Sequence, residues 1–394
     1  MLQHLKVDGS RPRAQVGMVG AGQLARMTLQ AAIPLDVHVR LLAARPDDGA
    51  ARVAADVMLG DPDDPAAVSA LAASCDVVTF DHELVPFPLL AELERRGVVL
   101  RPSAAVMALA QDKRRQRETF AALNLPVPPF SVLARPEQAV ECGEQWGWPI
   151  VIKAARGGYD GRGVWVVSDA AAAIELTASL IAAGIEPVAE RWVPIEREVA
   201  ILAARRPNGE TVAYPLAETV QINGICREIL APARVPEPLA RDAARIAETI
   251  AHTSGVVGIL AVECFVSEGT LLINEIATRP HNSGHYSIEG CVTSQFEQHL
   301  RAILDWPLGQ ASLTAPAVAT VNVLGNAIGD DPRACLPAAL AIPGVHVHLY
   351  GKTPRPGRKL GHVTVCGEYI EDVRERAQRA ASILGAPLPQ GVRA

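Results

Sequence analysis

The sequence has no grouped cysteines, no excess of positive charge and no long apolar run. Its seven cysteines (Cys75, Cys142, Cys226, Cys264, Cys291, Cys335 and Cys366) are scattered, without a CxxC or CxxH pair. That argues against a thiolate-bound metal and for reduced, buried thiols in a cytoplasmic protein. A formal net charge of -6 argues against a nucleic-acid surface built on bulk charge, while leaving room for one small anionic ligand. No stretch approaches the roughly 18 apolar residues that a membrane-spanning helix requires. Repeats and low-complexity tails are missing as well. What is present is ample core material, with 49% apolar residues in 394. That length suits two or three domains of about 100–200 residues each. The expectation is a soluble globular chain with a flexible leader over 1–14.

The first ordered segment, "QVGMVGAGQLARMTLQAA", reads as strand, glycine turn and helix. "VHVRLLAA" and "CDVVTF" supply further strands, which predicts βαβ units and a mostly parallel sheet. A nicotinamide-dinucleotide fingerprint does not fit. Gly17, Gly20 and Gly22 follow GxxGxG rather than GxGxxG, and the second strand delivers Arg45 instead of a ribose-binding acid. "AVMALAQDKRRQRETFAALNL" predicts one long helix. A small α+β unit follows, with strands in "PIVIKA", "VWVV" and "PVAERWVPIEREVAILAARR". Next come a long helix, the strand pair "GILAVECFV" and "TLLINEIA", and a last section of short strands closed by "IEDVRERAQRAASILG".

Several clusters carry chemistry. Lys153 ends an apolar strand and is followed by Gly157, Gly158, Gly161 and Gly163, with Tyr159, Asp160 and Arg162 among them. Glycines at this density let backbone amides approach phosphate oxygens, and the lysine supplies a point charge. The alternative is an ordinary flexible hairpin, and the GxxxxGK[ST] order of a P-loop is absent. A three-residue loop over 268–270 would place Glu263 across from Glu275 on one sheet face. Two such carboxylates repel unless a cation lies between them; Mg²⁺ suits that oxygen-rich setting, and Asn274 can add an oxygen. A different turn register would instead put one glutamate in solvent. Glu190, Arg191, Trp192 and Val193 end a strand whose backbone edge can read an adenine ring, and Glu198 can accept from ribose hydroxyls. Lys352, Arg355, Arg358 and Lys359 crowd a loop braced by Gly351, Pro354, Pro356 and Gly357. That loop suits a phosphate pocket, or else is plain solvated surface. A protein kinase is excluded by the missing HRDxxxxN and DFG segments.

Taken in order, "GQLARM", "VVTFDHELVP", "QDK", "GGYDGRG", "NEIATRPHNSGH", "TSQFEQHLRAIL" and "YGKTPRPGRKLGH" resemble the N5-carboxyaminoimidazole ribonucleotide synthetase family from about Val16 to Leu384. The resemblance implies an ATP-grasp fold in the α/β and α+β class. An N-terminal pre-ATP-grasp domain would span 15–110, and the ATP-grasp domain 111–312 with a flap at about 125–195. A small C-terminal domain would occupy 313–394. It implies carboxylation of 5-aminoimidazole ribonucleotide by ATP and bicarbonate through carboxyphosphate, in a homodimer that engages neither nucleic acid nor membrane. Lys113, Lys153, Gly158, Gly161, Gly163, Glu190, Arg191, Trp192, Val193, Glu198, Gln221, Asn274 and Glu275 would surround ATP. Glu263 and Glu275 would hold Mg²⁺, or Mn²⁺ in its place. Gly22, Gln23, Leu24, Glu83, Tyr159, Arg162, Arg279, His281, Asn282, Lys352, Arg355, Arg358 and Lys359 match the second-substrate side. Arg279, Lys153, Tyr159 and Asp160 are the candidate catalytic residues.

The chain departs from that family's pattern at Ala25, Asp81 and Thr278. More consequentially, Thr219 stands at an Asn position, and Gln221 at a His position near the nucleotide. Gln221 can hydrogen-bond but cannot become cationic. The rival enzymes are the formate-dependent glycinamide ribonucleotide transformylase and other carboxylate–amine ligases. A catalytically inactive nucleotide sensor is the non-enzymatic alternative. "RPHNSGH" and "GQLARM" favour the carboxylating enzyme, and retention of Lys153, Glu263 and Glu275 argues against a sensor.

Overall fold

The structure, a computed structural model, describes residues 14–158 and 162–385. The first unit comprises β1 (Gln15–Val19), α1 (Gln23–Ala32), β2 (His38–Ala43), β3 (Asp56–Leu59), α2 (Pro65–Ala72), β4 (Val77–Phe80), α3 (Phe87–Arg95) and α4 (Ala104–Ala110). Its strands are parallel in the order β3-β2-β1-β4. Runs such as "VVTF" are buried at every position, as expected of a sheet covered on both faces. After β1, Gly20 adopts φ +99°, a conformation that disfavours side chains. Gly22 then starts α1 without a capping side chain of its own. Asp81, just past β4, supplies the cap by accepting from the Gly22 and Ala25 amides. The shorter acid at this position therefore serves the helix terminus.

The expected single helix over 105–125 is two helices. Asp112 takes an extended conformation and caps α5 (Lys113–Ala122) by accepting from the Arg115 amide. A buried acid thus breaks what helical periodicity joined. The flap sheet contains β5 (Phe130–Val132), β6 (Ile150–Ala154), β7 (Val164–Val167) and β8 (Pro187–Arg191), in the order β5-β8-β6-β7. It is covered by α6 (Glu137–Trp146) and α7 (Ala170–Ala182).

The large sheet takes in β9 (Arg197–Arg205), β10 (Thr211–Ala213), β11 (Ala217–Ile222), β12 (Ile225–Ala231), β13 (Gly258–Ser267), β14 (Thr270–Ala277), β15 (Ala317–Leu324), β16 (Val345–Leu349) and β17 (Lys359–Gly367). Its order is β14-β13-β9-β11-β12-β15-β17-β16, with β10 on β9. β9 therefore leaves the small unit in which the sequence pattern grouped it with β8, because it finds its hydrogen bonds between β13 and β11. One face is covered by α8 (Glu237–Ser254). Its Leu239, Ala243, Ile246, Ala247, Ile250 and Ala251 recur at helical spacing and pack on Ile201, Val262 and Cys264. Short α9 (Ser287–Gly290) and α10 (Gln295–Ile303) follow β14. Beside β15 and β17 lie α11 (Leu336–Leu340) and α12 (Ile370–Leu384). Among the described residues, no helix is long and apolar enough to cross a membrane.

The β13–β14 turn is shorter than the sequence suggests. Ser267 pairs with Thr270, so the loop is Glu268-Gly269, both at positive φ, as a tight hairpin turn requires. A bulge between Glu263 and Cys264 then shifts the register, and Glu263 still faces Glu275. The pairing was expected; the device that restores it was not.

Candidate active site

β14 organises the site. Asn274 Oδ1 accepts from Lys153 Nζ at 3.0 Å, and Glu275 forms an ion pair with Lys113. Lys153 also lies 2.8 Å from Glu190 Oε2 and over the Phe265 ring, 6.0 Å from its centre. Burial lowers the proton affinity of Lys153, with Glu190 opposing. Burial pushes the Glu190 carboxyl up, but Lys153 and Arg117 outweigh it and hold the group below the ordinary range.

Arg117 was absent from the sequence-based site. It is fully buried; Nε donates to Glu190 Oε1 at 2.8 Å, and Nη2 donates to the Asn274 carbonyl at 2.7 Å. The available signal was helical spacing. Lys113, Gln116 and Arg117 share one face of α5, and Gln116 Oε1 accepts from the Ile276 amide at 3.1 Å. All three side chains of that face engage β14 or its partners.

Glu263 is pushed up to about 8 by burial, then by Glu275 and Glu198. Burial also raises Glu275, yet Lys113, with Lys153 and His281, brings it below the ordinary value. Glu198 rises to about 7 through burial and the charge of Glu275. This is a buried group of acids short of positive charge. Glu263 and Glu275 offer facing carboxylates to a divalent ion, and the strain on Glu263 is the kind such an ion relieves, so the donors fit one. Among the described residues, no cluster of three or more His, Cys, Asp and Glu side chains is arranged to hold a metal. The remaining positions would fall to phosphate and water.

Of the other expected nucleotide residues, Arg191 and Trp192 are exposed and Val193 and Gln221 half-buried. Glu198 lies opposite Thr219 between β9 and β11. Gly158 approaches the Arg162 carbonyl so closely that a Cβ would come within 2.8 Å of it. Gly163 closes the turn by accepting from the Ala154 amide at 2.8 Å. Tyr159, Asp160 and Gly161 lie outside the described residues.

On the second-substrate side, Lys352 hydrogen-bonds Gln23, joining residues 329 positions apart. Arg279 Nε donates to Glu83 Oε2 at 2.6 Å. His281 lies 3.7 Å from Glu263 Oε1 and 2.9 Å from the Ser283 hydroxyl. Both polar atoms of the Asn282 side chain are buried without a hydrogen-bond partner among the described residues, a vacancy in bonding that a ligand can satisfy. Leu24 instead packs with Met27, Phe296 and Tyr350. Arg358 donates to the Thr353 carbonyl at 2.9 Å. Arg355 is exposed, whereas Lys359 is half-buried and within electrostatic reach of Glu263. A cavity of about 440 Å³ beside Lys352 is lined by Arg26, Arg52 and Arg333.

The sequence matches three domain families in succession. These are the ribonucleotide synthetase preATP-grasp domain over 13–111, the ATP-grasp domain over 118–296, and the phosphoribosylaminoimidazole carboxylase C-terminal domain over 319–376. It is 45% identical to the N5-carboxyaminoimidazole ribonucleotide synthase of Mycobacterium tuberculosis across 93% of this chain and 86% of that one. The N5-carboxyaminoimidazole ribonucleotide synthetase structure from Thermus thermophilus superposes with a TM-score of 0.86 at 37% identity, covering 95% of this chain and 100% of that one. A similar structure is the N5-carboxyaminoimidazole synthase of Aspergillus clavatus in complex with ADP and 5-aminoimidazole ribonucleotide. Its TM-score is 0.87 at 32% identity, over 95% of this chain and 99% of that one. With identity this high along nearly its whole length, and these three domains in succession, the chain belongs to the N5-carboxyaminoimidazole ribonucleotide synthase family.

Proposed function

We propose that this chain carboxylates 5-aminoimidazole ribonucleotide on its exocyclic amine, consuming ATP and bicarbonate, with ADP and phosphate as the other products. One observation carries the assignment of roles. Within six residues of β14 and its continuation, Asn274 contacts Lys153, Glu275 contacts Lys113 and Arg279 contacts Glu83. Nucleotide and acceptor would therefore meet at a single stretch of backbone.

In this reading, bicarbonate oxygen attacks the γ-phosphorus of ATP, and the bond to ADP breaks. Lys113 and Lys153 face the phosphates and offset charge that moves onto the leaving ADP. Glu263 and Glu275 would hold a divalent ion, magnesium or manganese, which supplies charge neutralisation at the phosphates when bound. Arg279 and His281 orient the carboxyphosphate. The amine nitrogen then forms a bond to its carboxyl carbon, the carbon–oxygen bond to phosphate breaks, and the amine proton is lost to a base. Glu83 aligns Arg279, and its second oxygen can accept from the substrate. Lys352, Gln23 and Arg358 grip the ribonucleotide phosphate. Gln221 contacts the nucleotide as a neutral hydrogen-bonding group.

We assign the chain an N-terminal unit over 15–110, an ATP-grasp unit over 111–312 and a C-terminal unit from 313. We also assign it a homodimeric state and a cytoplasmic location. The test is product analysis by NMR with labelled bicarbonate, alongside ADP release. The expected outcome is a labelled carbamate, with ADP release that requires both bicarbonate and ribonucleotide. A formylated product, or ADP release indifferent to the ribonucleotide, would overturn the reading.

A further inference from the structure

The loop that carries Lys352 begins at Tyr350 and leads into β17, where His362 lies. Both are fully buried, and Tyr350 Oη lies 2.7 Å from His362 Nδ1. The Tyr350 ring packs against Leu24, Met27 and Phe296 and sits 5.4 Å beneath Lys352 Nζ. His362 is held between two other imidazoles, stacked on His348 at 4.6 Å and tilted against His285 at 4.8 Å. His348 in turn is anchored by Glu289 at 2.6 Å. His285 Nδ1 lies 3.3 Å from Gln295 Nε2.

Gln295 clamps the backbone of His281 from both sides. Its Oε1 accepts from the His281 amide at 2.8 Å, and its Nε2 donates to the His281 carbonyl at 2.7 Å. An unbroken file of buried side chains thus runs from beneath Lys352 to the backbone of His281. Gln295 meets His281 at its backbone amide and carbonyl, so the file transmits position to the site. Burial drives the proton affinity of His285 and His362 well down, which lets the rings pack as neutral groups.

Resting on the function proposed above, we propose that Tyr350 and His362 are positioning residues for the ribonucleotide. Their hydrogen bond sets the 350–352 loop. Through His285 and Gln295, the same contact fixes the distance between Lys352 and His281, which approach one ligand from different domains. Losing the bond lets the loop drift while the ATP pocket stays whole.

Tyr350→Phe deletes one oxygen and keeps the packing; His362→Phe keeps a ring and loses the bond; His362→Asn restores a polar atom near the Nδ1 position. Ribonucleotide binding is measured by calorimetry, and KM and kcat by ADP release, with ATP–Mg²⁺ binding on the same preparations. Both Phe variants should weaken ribonucleotide binding by about fivefold or more, as loss of one buried hydrogen bond predicts, and KM should follow. ATP–Mg²⁺ affinity should stay within about twofold, and His362→Asn should recover most of the loss. A purely structural role would lower the thermal midpoint and active fraction without moving KM; that result overturns the proposal. Unchanged ribonucleotide affinity in folded Tyr350→Phe also overturns it. If the wild-type protein does not bind the ribonucleotide, the proposed function itself falls, and this inference falls with it.

Discussion

Arg279 and Glu83 meet at 2.6 Å across the boundary between the large sheet and the N-terminal parallel sheet. Glu83 Oε1 is buried with no hydrogen-bond partner among the described residues. One oxygen aligns the guanidinium, and under the proposed function the other accepts from a donor on the substrate. Glu83→Gln keeps the shape and removes the charge that orients Arg279. The expected result is a loss of about tenfold or more in kcat/KM for the ribonucleotide, with ATP affinity little changed by calorimetry. Equal loss for both ligands would mean that the pair holds the domains together and nothing more.

Glu275→Gln should abolish metal-dependent turnover. Glu263 and Glu275 face each other in register, and under the proposed function the substitution would take one of the two carboxylates from a divalent ion. The stabilising shift in thermal midpoint that ATP gives with Mg²⁺ should disappear, while the ligand-free variant stays folded. ADP release near the wild-type rate at ordinary Mg²⁺ would remove Glu275 from the site.

Arg117→Met should damage the nucleotide side alone. The fully buried guanidinium neutralises Glu190 and holds the Asn274 carbonyl. Its loss leaves Glu190 paired with Lys153 alone among the described residues. Breaking a buried ion pair costs about 3 kcal/mol, so chemical denaturation should show a large loss of stability. ATP–Mg²⁺ affinity should fall by about tenfold or more, and ribonucleotide affinity should move much less. Arg117→Lys keeps the charge but makes fewer contacts, and should lie between the two.

Lys352→Met should raise the KM for the ribonucleotide by about tenfold or more, a loss of about 1.4 kcal/mol if KM follows affinity. Arg358→Ala should raise it as well, since Arg358 sits in the same loop and holds the Thr353 carbonyl. Direct ATP–Mg²⁺ binding should be nearly unchanged in both variants. If Arg358→Ala proves the more harmful, the phosphate lies deeper in its loop than the Gln23–Lys352 contact implies.

Acid should destabilise the fold through His299. This residue is fully buried between domains, with Nε2 2.8 Å from the Thr79 hydroxyl and Nδ1 accepting from the Ile259 amide. Burial lowers it to about 3. The unfolded chain takes up a proton near pH 6.5, so between those values it binds more protons than the folded chain. Stability from this group is complete above pH 6.5 and is lost as pH falls toward 3, by about 1.4 kcal/mol per unit. His299→Gln should be less stable at pH 7.5, and should lose less on going to pH 5.5. An unaltered pH slope in the variant would contradict this.

Much of the site was legible because its parts are local. A strand ending in Lys153, a hairpin bringing Glu263 to Glu275, and a cation-rich loop at Lys352 each announce themselves within a few residues. Alternation along β13 and β14 was enough to pair the glutamates, although the two-residue turn and its compensating bulge were not visible in a pattern of apolar and polar letters. Helical periodicity ran across Asp112 because a buried N-cap in mid-pattern looks like any other polar position. Arg117 escaped notice for a related reason. In a helix rich in charged residues, nothing in the letters says which arginine is buried.

The sequence by itself determined the order of elements, the class of fold, the family and most of the candidate site residues. Those follow from short-range periodicity, turn chemistry and motifs a dozen residues long. Tertiary structure alone decided which distant residues meet: Gln23 with Lys352, Glu83 with Arg279, Arg117 with Glu190, and the histidine file from Tyr350 to His281. It also decided that β9 joins the large sheet. Such pairings depend on how sheets and helices pack. A buried charge or imidazole must find its partner wherever the packing puts one, since leaving it unpaired costs more than the loss of any local preference.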